Sequence, residues 1–476
     1  MHTRLRAALA LAMMLVPLVS LHAQEEGQRL ELGGALRLDD RLSTYNGQLS
    51  WQEYRLSLTP SYTIDGRVKF YSDVWVRRLI SSSPFETKPG AFQLREAYVE
   101  LYGFLLKNLD ITVGRQRIAW GTADRLNPTD NVNPVDLEDF WDVGRHMPTN
   151  SLQARCYMGP FTLTGVFTPH FEGAVLPTRQ WLEAVTAKYP RSFDVEVPMA
   201  GTVRVKADPV TMSWRDEAPG WGLKNATYAV KLGCDIRNFS LSLSWLRQPM
   251  PMPVPSSVNT EARVTSFSAP TLTATVSADV KATLSHPIRQ VVGFDVAGAI
   301  GSVGVWGEAA LFLPEHEVRM ERAAKVGIGL PGFPLMGQFP LKLSDSLVLA
   351  KEPYVKYTVG ADYTFPINLY VNLQYAHGMA HEEGRKALHD YLSWVAEWTS
   401  DDARIKLAPL NGMLRVDEFD DMAGTYALFA LPELTYTPID NLDLKVGAHI
   451  LLTGKQFALH PARHNGDAYC QVIYSF

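Results

Sequence analysis

Hydrophobic side chains recur at every second residue along this chain. Leu30, Leu32, Leu36 and Leu38 share one parity, and Arg29, Glu31 and Arg37 share the other. Tyr54, Leu56 and Leu58 alternate with Arg55, Ser57 and Thr59. Leu369, Val371, Leu373 and Tyr375 alternate with Asn372 and Gln374. Leu442, Leu444, Val446, Ala448 and Ile450 alternate with Asp443, Lys445 and His449. Successive side chains of a strand point to opposite faces, so each segment predicts a strand with one apolar and one polar face. The connections alternate too. Short ones at 63–66, 103–108, 158–160, 235–238, 300–302, 366–367 and 438–441 carry Asp-Gly, Gly-Pro or Pro-Ile-Asp-Asn turn chemistry. Long irregular segments separate them, the largest at 170–223.

This pattern predicts an all-β fold, a 16-stranded antiparallel transmembrane β-barrel with short periplasmic turns and long extracellular loops. Hydrocarbon offers no hydrogen bonds, so such a sheet has to close on itself. A soluble all-β protein is the alternative, but it gives no reason for every second connection to be long.

The N-terminus reads as an address. Arg4 and Arg6 precede an apolar run, Ala7 to Leu21, and Leu21-His22-Ala23 ends in a small residue. This predicts a signal peptide over 1–23 and a barrel over 24–476. No later stretch approaches the roughly 20 apolar residues of a spanning helix. The expected location is the bacterial outer membrane, with membrane lipid as a partner.

At the other terminus Ala468, Cys470, Val472, Tyr474 and Phe476 form an apolar row. It resembles the C-terminal signal read by the outer-membrane assembly machinery. Tyr102, Phe104, Phe161, Phe239, Phe365 and Tyr436 lie near turn ends and fit an interfacial aromatic girdle. Cys156, Cys234 and Cys470 are an odd set for disulfides and share the apolar parity. A net charge of −5 gives no footprint for nucleic acid. A homo-oligomer and a monomer both fit.

The polar faces must line an interior. By parity its wall carries Arg37, Arg55 and Arg77 from early strands and Asp295, Glu308 and Asp362 from late ones. A basic wall opposite an acidic one sets up a transverse field, or else it braces the barrel with salt bridges. One segment breaks the pattern. Leu109, Ile111 and Val113 are outward, and Arg115 and Arg117 continue their parity. A cation facing lipid costs about 2–4 kcal/mol near the midplane. A bulge at Gly114 would turn both arginines inward.

The same segment carries a resemblance. Gly114-Arg115-Gln116, then Trp120-Gly121, then Asn133-Pro134-Val135-Asp136 resembles the motif of a porin-like bacterial outer-membrane family of uncharacterised function. It is also similar to the matching stretch of alginate-export-type porins. The resemblance implies a channel or ligand-binding barrel and brings no catalytic residue.

Read from its residues, the third loop is rich in Asx turns. Its Arg115, Arg117 and Arg125 can pair with Asp124, Asp130 and Asp136. Two readings stay open: a rigid loop closed by its own ion pairs, or a constriction folded into the lumen with these six residues setting selectivity.

Other loops predict less. Trp181, Leu182, Val185 and Tyr189, and again Leu388, Tyr391, Leu392, Val395 and Trp398, show helical spacing. Pro249, Pro251, Pro253 and Pro255 predict an extended arm ahead of an external hairpin. Ile328, Leu330, Pro331, Phe333, Pro334, Leu335, Met336 and Phe339 make an apolar sixth loop. His377, His381, Glu382 and His389 invite a metal, but a solvated loop is the better reading, and no metal or cofactor is expected. No nucleophile elbow or phosphate loop is present, so the chain reads as a non-enzyme. The expected function is a channel for small solutes, tilted toward hydrophobic or amphipathic ones. The alternative is a plugged surface barrel acting as an adhesin or antigen.

Overall fold

A computed structural model describes residues 24–25, 28–81, 88–178, 181, 192–197, 201–268, 270–328 and 337–476. The chain begins with β1 (Gln24–Glu25), then runs through β2 (Gln28–Ser43), β3 (Leu49–Ile64), β4 (Val68–Ser81), β5 (Lys88–Leu101), β6 (Leu109–Gln116), β7 (Thr149–Met158) and β8 (Phe161–Thr168). A hairpin, β9 (Ser192–Val197) and β10 (Gly201–Glu217), precedes β11 (Thr227–Ile236) and β12 (Phe239–Pro249). A second, β13 (Val254–Ser268) and β14 (Thr273–Ser285), precedes β15 (Ile288–Ile300) and β16 (Val303–Pro314). A third, β17 (Val318–Ile328) and β18 (Gly337–Leu349), precedes β19 (Tyr354–Phe365), β20 (Leu369–His377) and β21 (Asp390–Thr399). The last strands are β22 (Ile405–Ala408), β23 (Gly412–Val416), β24 (Tyr426–Ala430), β25 (Glu433–Ile439), β26 (Leu442–Thr453) and β27 (Asp467–Ser475).

Outside the three hairpins, each strand from β2 onward pairs antiparallel with its neighbours, and β27 returns to β2 with Ala35 opposite Ser475 and Ser43 opposite Asp467. The sheet is therefore a closed barrel, and it has 18 strands, not the expected 16. Two are broken, β22 with β23 and β24 with β25, where Pro409 and Pro432 offer no N–H to the ladder.

The two additional strands come from the seventh loop. Asp390–Thr399 is strand, not helix: Tyr391 is buried while Leu392 is exposed on the opposite face. Both faces of this strand carry apolar residues, and their merged rows imitate helical spacing. A short turn at 400–404, which the sequence reading lacked, follows it.

Burial is inverted relative to a water-soluble core. Asp39, Arg41, Arg77, Asp295, Glu308, Thr358, Asn372 and Gln374 are buried inside. Leu32, Phe92, Leu243, Phe294, Val359, Leu373 and Val446 are exposed outside. Phe104, Phe161, Phe365 and Tyr436 are exposed at the turn end as well, whereas the Tyr102 hydroxyl donates to Glu100 at 2.8 Å. The three cysteines are free and lie on the outward parity.

The bulge expected at Gly114 is absent, and Arg115 keeps the parity of Val113, opposite Ala97 and Val99 respectively. Pairing runs without a shift through Gly114 on both sides. A shift falls between β4 and β5, where Asp73 opposes Glu96 and Val74 opposes Leu94, so Arg95 is the extra residue. It sends Leu94 and Phe92 outward and keeps Arg95 inside over Trp75.

The three hairpins join above the loop end in a six-stranded sheet ordered β18-β17-β13-β14-β10-β9, with β10/β14 and β13/β17 parallel. The external hairpin expected in the fifth loop is thus β13–β14, although Pro255 lies within β13 and is not part of a separate arm. Of the fourth-loop helix only Trp181 is described. Most of the apolar sixth-loop residues, 329–336, also lie outside the described residues.

Candidate functional site

The segment 117–148 leaves β6 and enters the barrel. Asn133 stitches its base. The side-chain oxygen accepts from the Ile118 N–H at 2.7 Å, and the amide donates to Gln116 O at 3.3 Å and Thr149 Oγ1 at 3.1 Å. Two turns stiffen the loop beyond this point, with Asn127 donating to Ala123 O at 2.8 Å and Asn131 to Pro128 O at 2.6 Å.

The first half of the loop crosses to the far wall. There Glu308 of β16 accepts from the backbone N–H groups of Thr122, Ala123 and Thr129, from Thr129 Oγ1 at 2.8 Å and from Asn127. Thr358 of β19 donates to Leu126 O at 2.9 Å. Gln374 of β20 brackets Asp124, accepting from its N–H at 3.1 Å and donating to its carbonyl at 3.0 Å. Ile118, Trp120 and Val132 bury themselves against Val166, Leu246 and Phe312. Gly121 lets the backbone reach this wall: its φ is +92°, and a Cβ there would stand 2.7 Å from Glu308 Oε1.

The second half returns to the early strands and is held by charge. Arg41 of β2 binds Asp139 through Nη1 at 2.9 Å and Asp39 through Nη2 at 2.8 Å. Arg77 of β4 binds Glu138 at 2.6 Å and Glu53 at 2.6 Å. Asp136 pairs with Arg145 at 2.8 Å and lies 3.7 Å from Arg95. Burial pushes the Asp139 carboxyl up, but the Arg41 guanidinium, Arg145 and His449 outweigh it and hold the group well below the usual carboxylate range. Next to it Trp141 stacks on His449, and Phe140 stacks on Trp181 at 3.8 Å, in a cluster with Phe429, Leu451 and Phe457. The loop is a strap across the lumen, tied at both ends.

The six loop residues singled out from sequence do not form one cluster. Arg117 pairs with Asp130. Arg115 pairs with Glu172 from the fourth loop at 2.7 Å instead of a third-loop acid. Asp136 takes Arg145, and Asp124 accepts from Asn372 at 3.3 Å. Arg125 is exposed at the strap's tip with φ +62°.

Among the wall residues, Arg37, Arg55 and Arg77 stand directly opposite one another across β2, β3 and β4. Asp295 accepts from Ser242 and lies 3.4 Å from Lys231, and Asp362 accepts from Tyr370 at 3.1 Å. The sequence reading missed Arg41, Arg95, Glu138, Asp139, Arg145 and Gln374. Arg41 continues the parity of Arg37, and Glu138 and Asp139 follow Asp136 in one acidic run, so parity and charge runs were the available signals.

Two of the three histidines singled out around the seventh loop are engaged with carboxylates. His377 meets Asp390 at 2.8 Å and His389 meets Glu382 at 2.7 Å. Burial opposes ionisation of Glu382, but hydrogen bonds from His389, Tyr391 and the Met379 N–H pull it down to about 2. No group of metal-ligating side chains stands together among the described residues.

No protein-family model and no curated protein matches this chain. Solved structures do. OmpF of Salmonella typhi, in complex with daunomycin, is 8% identical over 96% of this chain and 100% of its own, with a TM-score of 0.39. OmpT of Vibrio cholerae, an outer membrane protein, is 8% identical over 96% and 100%, with a TM-score of 0.38. The outer membrane channel DcaP of Acinetobacter baumannii is 12% identical over 95% and 99%, with a TM-score of 0.36.

Proposed function

We propose that the mature chain, 24–476 after removal of a signal peptide over 1–23, is an outer-membrane channel through which small solutes pass beside the 117–148 strap. The observation that carries this reading is the inverted burial: charges inside a closed ring, large apolar side chains outside, and a loop tied across the interior. Water inside and hydrocarbon outside are the surroundings in which such a wall is stable. The strap narrows the passage, and the arginines and carboxylates at its edges set which solutes cross. The resemblance of the 114–136 motif to porin-like barrels belongs to the same reading, as does the terminal strand ending in Phe476, offered to the assembly machinery.

Purified, folded protein in a planar bilayer tests the reading. Stepwise ionic conductance is expected, and an electrically silent membrane containing folded protein would refute it. The six-stranded external sheet favours a second reading, a surface barrel whose loops bind partners. That reading expects silent bilayers together with cell or matrix binding that is lost when the β13–β14 hairpin is removed.

A further inference from the structure

We infer that the solute recognised at the strap is a small organic carboxylate, held by Arg37, Arg55 and Arg125. The inference rests on the channel reading and names its substrate class. It starts from the register: Arg37 faces Arg55, and Arg55 faces Arg77, on three adjacent strands. Like charges directly opposite destabilise a sheet, so such a row needs anions.

The protein supplies them unevenly. Arg77 has two carboxylates close by, Glu53 and Glu138, both at 2.6 Å. Asp39 is taken by Arg41, which leaves Arg37, among the described residues, one ion pair at 3.2 Å and a buried Nε with no acceptor. The Arg55 guanidinium has Glu53 at 3.7 Å, an oxygen that Arg77 already holds more closely. Arg125 makes no ion pair among the described residues and is exposed.

Arg37 and Arg55 stand side by side on the wall, and Arg125 packs against the 136–145 half of the strap: a Cβ added at Gly144 would stand 3.1 Å from Arg125 Cβ, and Asp142, 43% exposed, lies 3.8 Å from Arg145. Trp75 fixes the geometry, with Arg55 over its ring at 4.1 Å and Arg95 at 4.5 Å. A guanidinium held over an aromatic ring keeps its N–H edge aimed and loses little freedom on binding. A planar carboxylate matches that fork with two parallel hydrogen bonds, which chloride cannot do.

The test uses the full-length folded protein in planar bilayers, with propionate, propionamide or inorganic phosphate added to one side. Propionate is expected to interrupt the current, propionamide to leave it unchanged and phosphate to act more weakly. Arg37→Gln, Arg55→Gln and Arg125→Gln are each expected to weaken the propionate effect about tenfold, as loss of a charge-assisted fork does. Arg78→Gln on the outer face is expected to change nothing.

Heat-modifiable migration in gels checks that each variant folds. Arg37→Lys and Arg55→Lys provide a second arm: they keep the charge and remove the fork, so anion selectivity in a KCl gradient should persist while propionate block falls. A conducting channel indifferent to propionate, one blocked better by phosphate, or a block that survives Arg37→Gln and Arg55→Gln overturns the carboxylate site and leaves the channel reading standing. A silent wild-type membrane overturns both.

Discussion

The strap's two ends are held by different physics. The 118–131 half docks on Glu308, Thr358 and Gln374, with one carboxylate and several neutral groups meeting backbone amides, and it buries Ile118, Trp120 and Val132. The 136–145 half docks on Arg41, Arg77 and Arg95 through Asp136, Glu138 and Asp139. The first kind of contact fixes a backbone and is indifferent to salt. The second satisfies charges that the barrel had to bury anyway, and each partner removed leaves its counterpart exposed to the full desolvation cost. The charged end is therefore the more fragile to mutation and to pH, and it borders the incompletely paired arginines.

Asp139→Asn should show the largest effect. It leaves Arg41 buried with Asp39 alone, and breaking a buried pair this way costs about 3–5 kcal/mol. Trypsin cleavage after Arg145 in the folded protein should accelerate, with larger single-channel conductance as the strap lifts. If cleavage after Arg145 and Arg125 rises equally, the two ends are not separate units.

Glu308→Gln comes next. It replaces a carboxylate receiving three N–H groups by an amide with one oxygen and a competing donor, at a cost of about 1–3 kcal/mol. Cleavage after Arg125 should rise while cleavage after Arg145 stays at its wild-type rate. A selective rise at Arg145 instead would reverse the assignment of the two ends.

Acid should separate the ends again. The Asp139 carboxyl is held below its ordinary value, so the stability it contributes is complete above about pH 4 and is lost as pH falls toward its folded value. Glu382 behaves alike, and its contribution disappears between about pH 4.5 and about 2. Conductance fluctuations and acid-protease sensitivity of 136–145 should increase as pH falls below about 4, where Asp139 begins to lose its contribution. A strap that loosens between pH 8 and 6 would show that another group governs it.

These contrasts also mark what the sequence could convey. Parity alone placed Arg37, Arg55 and Arg77 on one wall and Glu308 on another, because a two-residue period survives in every strand. It failed where both faces are apolar, as in Tyr391 to Trp398, since the interior is lined there by Tyr391 packed beside Glu382 and Arg415. Proximity in sequence found Arg117 with Asp130, thirteen residues apart. It could not find Arg41 with Asp139, separated by 98, because that pair exists only once the ring has closed and the loop has folded into it. The bulge was expected at Gly114 because that is where parity conflicted. No shift occurs there: Arg115 keeps the phase of Val113 and is neutralised by Glu172 of the fourth loop, while the bulge at Arg95 belongs to the neighbouring ladder, whose register a pattern within one strand does not encode.

Salt gives the smallest effect and the finest test of the comparison. Raising ionic strength from about 0.1 M to about 1 M shortens the Debye length from roughly 10 Å to 3 Å, yet buried pairs are screened much less than exposed ones. Arg41 and Asp139 are almost wholly buried and should hold, whereas Arg145 and Asp142 reach solvent and should weaken. Trypsin cleavage after Arg145 should rise by no more than about twofold, a few tenths of a kcal/mol, as for other partly exposed pairs. Cleavage after Arg125 should not move, because the amide contacts at Glu308 and Gln374 do not depend on mobile ions. Equal acceleration at both sites would mean that the strap lifts as one body, and that the two kinds of contact have no separate mechanical meaning.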